Sequence, residues 1–229
     1  TQLAELINRI SEIDGIEWIR LHYLYPTKFP EEILPLMQEN PKVCNYLDMP
    51  LQHIANPVLK RMMRHVTREE TETLIKKIKA EVPGVVLRTT LLVGFPGETK
   101  EDFEELKQFV RDMKFERLGV FPYSHEDGTY AYKQFEDDVP EEIKHARADE
   151  IMEIQQQISA ELNIQRIGQE FRVIVDRKEG EYYVARTEYD SPEVDGEVLI
   201  TSKKELKNGD FVNLKITGAE DYDLYAEEV

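Results

Sequence analysis

Cysteine is almost missing from this chain of 229 residues: Cys44 stands alone. One thiol excludes an internal disulfide, a Cys-rich zinc site and a self-contained iron–sulfur centre. The pattern reads as cytoplasmic, with no signal peptide at the start. Basic residues are also scarce, with 29 Lys and Arg against 46 Asp and Glu and a formal net charge of −17. That balance disfavours RNA or an anionic membrane as the main partner, because phosphates attract Lys and Arg. Long apolar runs are missing too. The longest stretch without Asp, Glu, Lys or Arg is Met49–Leu59, well short of the roughly 20 residues that cross a bilayer. No two histidines have metal-ligand spacing, so no metal site is expected.

What is present is a strand–helix alternation. Glu17–Tyr23, Tyr46–Leu51, Val85–Gly94 and Arg117–Ser124 are apolar and β-rich. Between them lie helical patterns at 31–39, 57–63, 67–82 and 99–113, the last two opened by the capping boxes Thr67-x-x-Glu70 and Thr99-x-x-Asp102. Such alternation predicts βαβ crossovers and an α/β fold with a parallel sheet. Four strands fit half of a barrel or an open doubly wound sheet, and spacing alone leaves both open. The chain begins with Thr1, not Met, inside a predicted helix with the stripe Leu3, Leu6, Ile7, Ile10 and Ile13. A chain that opens this way is expected to be cut from a longer protein.

Residues 140–167 form one amphipathic pattern ended by Gly168. From Gln169 the apolar period drops to two. Five short segments separated by Gly, Pro and Asn turns predict a small OB-like β-barrel. Three parts follow: a β/α unit over 1–139, a linking helix over 140–167 and a barrel over 168–229.

The loop Val93-Gly94-Phe95-Pro96-Gly97-Glu98-Thr99 joins a strand to a capped helix, where parallel folds build their sites. Its alternative reading is a plain tight turn. Arg88 shares a strand face with Thr90. A guanidinium there needs either an internal acid or a carboxylate-bearing ligand. Gln52 and His53 end a strand, and His53 is expected to cap the next helix. The barrel carries sixteen acidic and eight basic residues between Gly168 and Val229. Its segment from Arg186 through Glu188, Asp190, Glu193 and Asp195 is either a solvated acidic face or a docking surface for a basic protein. No acid, base or nucleophile stands out as catalytic.

Met49-Pro50-Leu51-Gln52, Met62-Met63-Arg64-His65-Val66-Thr67, Leu91 through Thr99, and Tyr123-Ser124 with Gly128-Thr129 together resemble the later half of the radical S-adenosylmethionine core of methylthiotransferases. Residues 168–229 resemble the TRAM domain of the same family. The resemblance implies a partial, TIM-like radical barrel of about four parallel strands followed by an antiparallel five-stranded TRAM barrel. It implies S-adenosylmethionine as cofactor, with Gln52, Arg88 and Thr90 on its amino-acid or ribose side and Gly94, Gly97 and Tyr123 bordering the adenosine. Two four-iron, four-sulfur clusters are implied as well, one through a CxxxCxxC loop and one through three further cysteines. Neither set is in this sequence, so the fragment is expected to be inactive alone.

Two subfamilies compete. One modifies a tRNA adenosine, the other the β-carbon of an aspartate in ribosomal protein S-twelve of the small subunit. Arg186–Asp195 and Arg88-Thr89-Thr90 resemble the protein-modifying enzymes, and the acidic barrel agrees with a basic partner. Met63 departs from the family's usual Lys or Arg in its Met-x-Arg motif. A non-catalytic adaptor for a basic ribosomal component is the alternative from another class, and a barrel lyase with an appended module is a third.

Overall fold

The structure, a computed structural model, describes residues 2–229. Thr1, where the sequence-based helix begins, lies outside the described residues. The first unit runs α1 (Gln2–Ser11), β1 (Ile19–Leu21), α2 (Ile33–Glu39), β2 (Val43–Asp48), α3 (Asn56–Arg61), α4 (Arg68–Glu81), β3 (Val86–Val93), α5 (Lys100–Met113), β4 (Arg117–Pro122), α6 (Tyr130–Gln134) and α7 (Glu141–Ile164). Both capping boxes form. Thr67 and Thr99 accept from the amides of Glu70 and Asp102, whose carboxylates return the bond.

The four strands are parallel and lie in the order β1-β2-β3-β4. This order never reverses, which is the topology of a barrel segment; a doubly wound sheet needs a switch point. The helices accordingly share one face. Leu21, Val43, Leu47, Leu87, Leu91 and Val93 meet Ile7, Ile33, Ile75, Phe109 and Ile151 in one buried cluster. Strand alternation sends the intervening residues, among them Tyr46, Asp48, Arg88, Thr90 and Arg117, to the opposite, helix-free face.

The second strand sits three residues earlier than the sequence pattern suggests. Pro50 has no N–H to give the ladder, so the regular strand stops at Asp48. The chain stays pinned to β3 by other means. Met49 N–H donates to the Arg88 carbonyl, the Thr89 hydroxyl bridges Leu51 N–H and the Met49 carbonyl, and Gln52 N–H donates to the Thr90 carbonyl.

The second unit comprises β5 (Glu170–Glu179), β6 (Tyr182–Thr187), β7 (Val198–Thr201), β8 (Phe211–Ala219) and β9 (Leu224–Glu228), closed in the order β5-β6-β7-β9-β8. The antiparallel expectation needs one correction: β7 and β9 pair in parallel. The chain leaves β7, crosses to build β8 against β5, and re-enters beside β7 in the same sense. Val173, Val175, Ala185, Val198, Ile200 and Leu214 fill the interior.

The two units are joined by the segment after β6. Arg117 of β4 donates to the Asp190 carboxylate through Nε at 3.1 Å and Nη2 at 2.5 Å. Thr187 Oγ1 donates to the same carboxylate. Asp190 is 1 % exposed and Arg117 8 %. Arg20 donates to the carbonyls of Thr187 and Glu188, and Trp18 meets Phe211 edge-on at 5.0 Å. Removing one partner of a buried pair strands the other charge. Asp190→Ala is therefore expected to cost about 3–5 kcal/mol of stability, while Arg117→Met with Asp190→Leu recovers most of the loss. Chemical denaturation of the two variants beside the parent chain checks this. Equal losses would remove the pair from that role.

Candidate functional site

Three of the six residues expected at the cofactor come together. Gln52, Arg88 and Thr90 line a cavity of about 520 Å³ on the helix-free face, walled by Tyr23, Tyr25, Phe121 and Arg64 among others. Its backbone is unusual at two points. Gln52 has φ of 71° and Tyr23 φ of 57°, left-handed values that side chains rarely adopt. Both are held by their surroundings. The Gln52 carbonyl accepts from Leu92 N–H, and Tyr23 N–H donates to Asp48 Oδ2 at 3.2 Å. Such strain at a cavity wall belongs with binding sites. Tyr23 and Phe121 are 83 % and 59 % exposed, so the rim is aromatic and open.

Arg88 does not offer a free charge to this cavity. Its Nη1 donates to Asp48 Oδ1 at 3.1 Å and to the Thr90 hydroxyl at 3.3 Å, and its Nε lies 3.3 Å from Asp195 Oδ1. Tyr46 O–H donates to the other Asp195 oxygen at 2.8 Å. The internal acid, left open by the sequence, is thus supplied from two sides, one of them the barrel unit. Burial and the Asp195 carboxylate push the Tyr46 phenol well above its ordinary pKa.

Gly94, Gly97 and Tyr123 form a second group at the carboxyl ends of β3 and β4. Gly94 has φ of 74°, and an added Cβ would run into the Lys144 chain. Lys144 is fully buried there by α7, with its ammonium 2.6 Å from Asp137 and 2.5 Å from Glu141. Tyr123 packs on Phe95 at 5.0 Å and is 7 % exposed. Its O–H shares a hydrogen bond with His125.

The residue that sequence reasoning missed is Glu98. Its carboxylate accepts from the amides of Gly94 and Phe95 and pairs with Arg147 at 3.0 Å. It therefore closes the glycine loop from inside. A signal existed: a loop whose glycines free backbone amides needs an acceptor, and Glu98 follows Gly97 directly. His53 Nδ1 accepts from Ala55 N–H just before α3, and its Nε2 lies 3.9 Å from Glu98. Burial pushes the Glu98 carboxyl up to about 7, against the pull of Arg147 and the two amides. Burial pushes His53 down to about 4.

The expected docking residues divide. Asp190 and Asp195 face the sheet and are consumed by Arg117 and Arg88. Glu188 accepts from Asn45 N–H, and Arg186 is half-buried against Asp176. Glu193 alone of the five is exposed. The segment expected to greet a partner is largely an internal plug: it gives Arg117 its carboxylate, Arg88 a second one and Arg20 two carbonyls.

An iron–sulfur cluster does not fit the residues present. Cys44 is buried, and burial raises its thiol to about 11, the opposite of a ligating thiolate. No group of three or more His, Cys, Asp or Glu able to hold a metal occurs among the described residues. The 520 Å³ cavity does fit a small sulfonium amino acid with a nucleoside: it has aromatic walls, convergent polar groups and a half-buried guanidinium. No helix of the described residues is long and apolar enough to cross a membrane.

The titrations of Glu98 and His53 act in opposite directions. A carboxyl raised from 4.5 to about 7 holds its proton in the folded state longer than in the unfolded one, so its contribution to stability falls as pH rises through that window. A histidine lowered to about 4 loses stability as pH falls from 6.5. Glu98→Gln removes only the first effect. Its stability relative to the parent chain should improve by roughly 1–3 kcal/mol between pH 5 and pH 8. Denaturation curves across that range check the slope, and a difference that grows in the other sense would overturn the raised Glu98 carboxyl.

The comparisons with known proteins agree with this fold. Residues 1–110 match the radical SAM superfamily model and residues 167–229 the TRAM domain model. "Ribosomal protein uS12 methylthiotransferase RimO" of Flavobacterium johnsoniae is 58% identical over 98% of this chain, and that of Porphyromonas gingivalis is 58% identical over all of it. The matches take in 52% and 53% of those proteins, so the chain spans about half the length of the curated relatives it matches. Among solved structures, coproporphyrinogen III oxidase (HemN) from Escherichia coli, a radical SAM enzyme, superposes with a TM-score of 0.55 at 21% identity. That superposition covers 69% of this chain and 36% of the oxidase, and shows the fold alone. The chain thus carries a radical SAM segment followed by a TRAM domain, and over nearly its whole length it is similar to proteins named as methylthiotransferases.

Proposed function

We propose that this chain is the part of a methylthiotransferase that holds one side of S-adenosylmethionine and meets the protein substrate, and that the substrate is an aspartate of ribosomal protein uS12. The observation that carries the reading is the 58% identity to relatives named for that reaction over 98% of this chain. S-adenosylmethionine, held in the cavity lined by Gln52, Arg88 and Thr90, would supply the radical chemistry for methylthio transfer, with an iron–sulfur cluster whose ligands this chain does not supply.

The chain's own residues orient the cofactor. Gln52 and Thr90 give hydrogen bonds to the cofactor's amino-acid or ribose side. Arg88, locked by Asp48 and Asp195, forms the floor between them. The Gly94–Gly97 loop and Tyr123 border the adenosine side. Tyr23 and Phe121 supply aromatic faces at the open rim that suit a sulfonium.

The barrel's surface supports a basic polypeptide over RNA. Even with Asp190 and Asp195 consumed at the seam, acids outnumber bases there, and Glu193 points outward beside the seam. An RNA-gripping barrel would need the reverse charge.

Two measurements test the reading. The 229-residue chain, reconstituted anaerobically, is expected to take up no stoichiometric iron, and a full cluster would overturn the assignment of cluster ligands. The full-length protein containing this sequence, with clusters loaded, should add a methylthio group to uS12 in small ribosomal subunits and leave tRNA unmodified. Mass spectrometry of both substrates decides, and methylthiolated adenosine in tRNA would overturn the substrate.

A further inference from the structure

Charge on the helix-free face can be followed residue by residue. Arg88 is met by two carboxylates and Arg117 by one. Arg64, which follows α3 and reaches back to the same cavity, is met by none among the described residues. Its Nη2 donates to the Pro50 carbonyl, and its guanidinium lies over the Tyr25 ring, 4.4 Å from the centroid. Its Nε is buried with no hydrogen-bond partner. Glu70, the acid in the adjoining hollow, spends its carboxylate on the Thr67 amide. Burial lowers the Arg64 pKa, and Tyr25 is the group that opposes it.

An unmatched, part-buried guanidinium is costly in any protein. It is more surprising in a chain where 46 acids outnumber 29 bases, because a carboxylate was easy to place. Arg64 lines the wall of a cavity whose other cation, Arg88, is already neutralised. Arginine's planar fork is suited to one ligand class above others, a carboxylate bound through two N–H groups. The stack on Tyr25 and the bond to Pro50 fix the plane of that fork in advance.

We infer that Arg64, and not Arg88, is the carboxylate-binding group of this site, and that it takes a free amino-acid-type carboxylate entering between Tyr25 and Gln52. This rests on the cofactor reading of the cavity. The carboxylate has two sources there: the methionyl end of S-adenosylmethionine and the side chain of an acidic substrate residue. Arg88 serves to shape the floor, its charge being held by Asp48 and Asp195.

The test follows the Arg64 Nε–H resonance of the isotopically labelled chain by NMR, with the Gln52 and Thr90 amides reporting occupation of the cavity. S-adenosylmethionine should move all three. 5′-Methylthioadenosine, which lacks the carboxylate, should move the two amides and leave Nε–H in place. Arg64→Gln should weaken S-adenosylmethionine at least tenfold and 5′-methylthioadenosine by less than twofold, with Arg64→Lys between. If an Asp-containing peptide moves Nε–H where its Asn counterpart does not, and the cofactor leaves Nε–H in place, the carboxylate comes from the substrate and the inference stands. If the amides move with both nucleosides while Nε–H responds to no carboxylate, the inference falls and the cofactor reading survives. If neither nucleoside moves the amides, the cofactor reading falls, and the peptide pair alone decides Arg64. Should Arg64→Gln not fold, the resonances of the parent chain carry the same decision.

Discussion

Arg88 and Arg117 sit on a sheet face with no helix over it, and neither can shed its charge to relieve burial. Each must therefore be matched by an acid, yet the first unit places only Asp48 beside Arg88 on that face. The remaining carboxylates arrive from the barrel unit, as Asp190 and Asp195. This requirement fixes how the two units meet. It brings the segment after β6 under the sheet, buries Asp190, and packs Tyr189 near Cys44, Tyr46 and Val86. The seam is thus an electrostatic necessity of the sheet, and the barrel is a structural component of the site's floor as well as an appended module.

A second constraint operates at the other end of the strands. The glycine loop frees two amides that have no strand or helix to receive them, and Glu98 receives both from within. Arg147 and Lys144, both from α7, then hold the loop from outside, one through Glu98 and the other against Gly94. The long helix thereby does more than link. It packs on β4 and α5, and its Asn163 reaches the carbonyls of Glu220 and Asp221 in the barrel unit. One helix fixes the loop, the last strand and the barrel relative to each other.

What was legible in the sequence was what depends on near neighbours. Thr67 and Thr99 announce their helices because capping is a three-residue event, and Phe103, Leu106, Phe109 and Val110 share one face because helical period is local. The period of two gave all five barrel strands. Strand order was not legible, since a half-barrel and a doubly wound sheet have the same alternation and differ only in which distant strands pair. The inward turn of Asp190 and Asp195 was hidden for the same reason: their partners are 73 and 107 positions away in sequence, and nothing between Thr187 and Asp195 distinguishes an acid bound for solvent from one bound for Arg117. Pro50 did carry a readable signal, because a missing N–H ends a ladder wherever it falls, and the second strand stops just before it.

The two arginines of the cavity show how far composition can be carried into chemistry. By sequence alone Arg88 is the better candidate for a ligand carboxylate, because a charge inside a parallel strand demands an explanation. The structure explains it internally, and that explanation removes the demand. Arg64 raises no question in the sequence, where it sits in a short polar connection after α3. It raises one in three dimensions, because its Nε is enclosed and unanswered while its ring stack and its bond to Pro50 prevent it from swinging to solvent. A protein with a large excess of carboxylates leaves such a group unmatched only at a stability cost of order 1–3 kcal/mol for the lost hydrogen bond. A carboxylate ligand that pairs with the Arg64 guanidinium on binding offsets that cost.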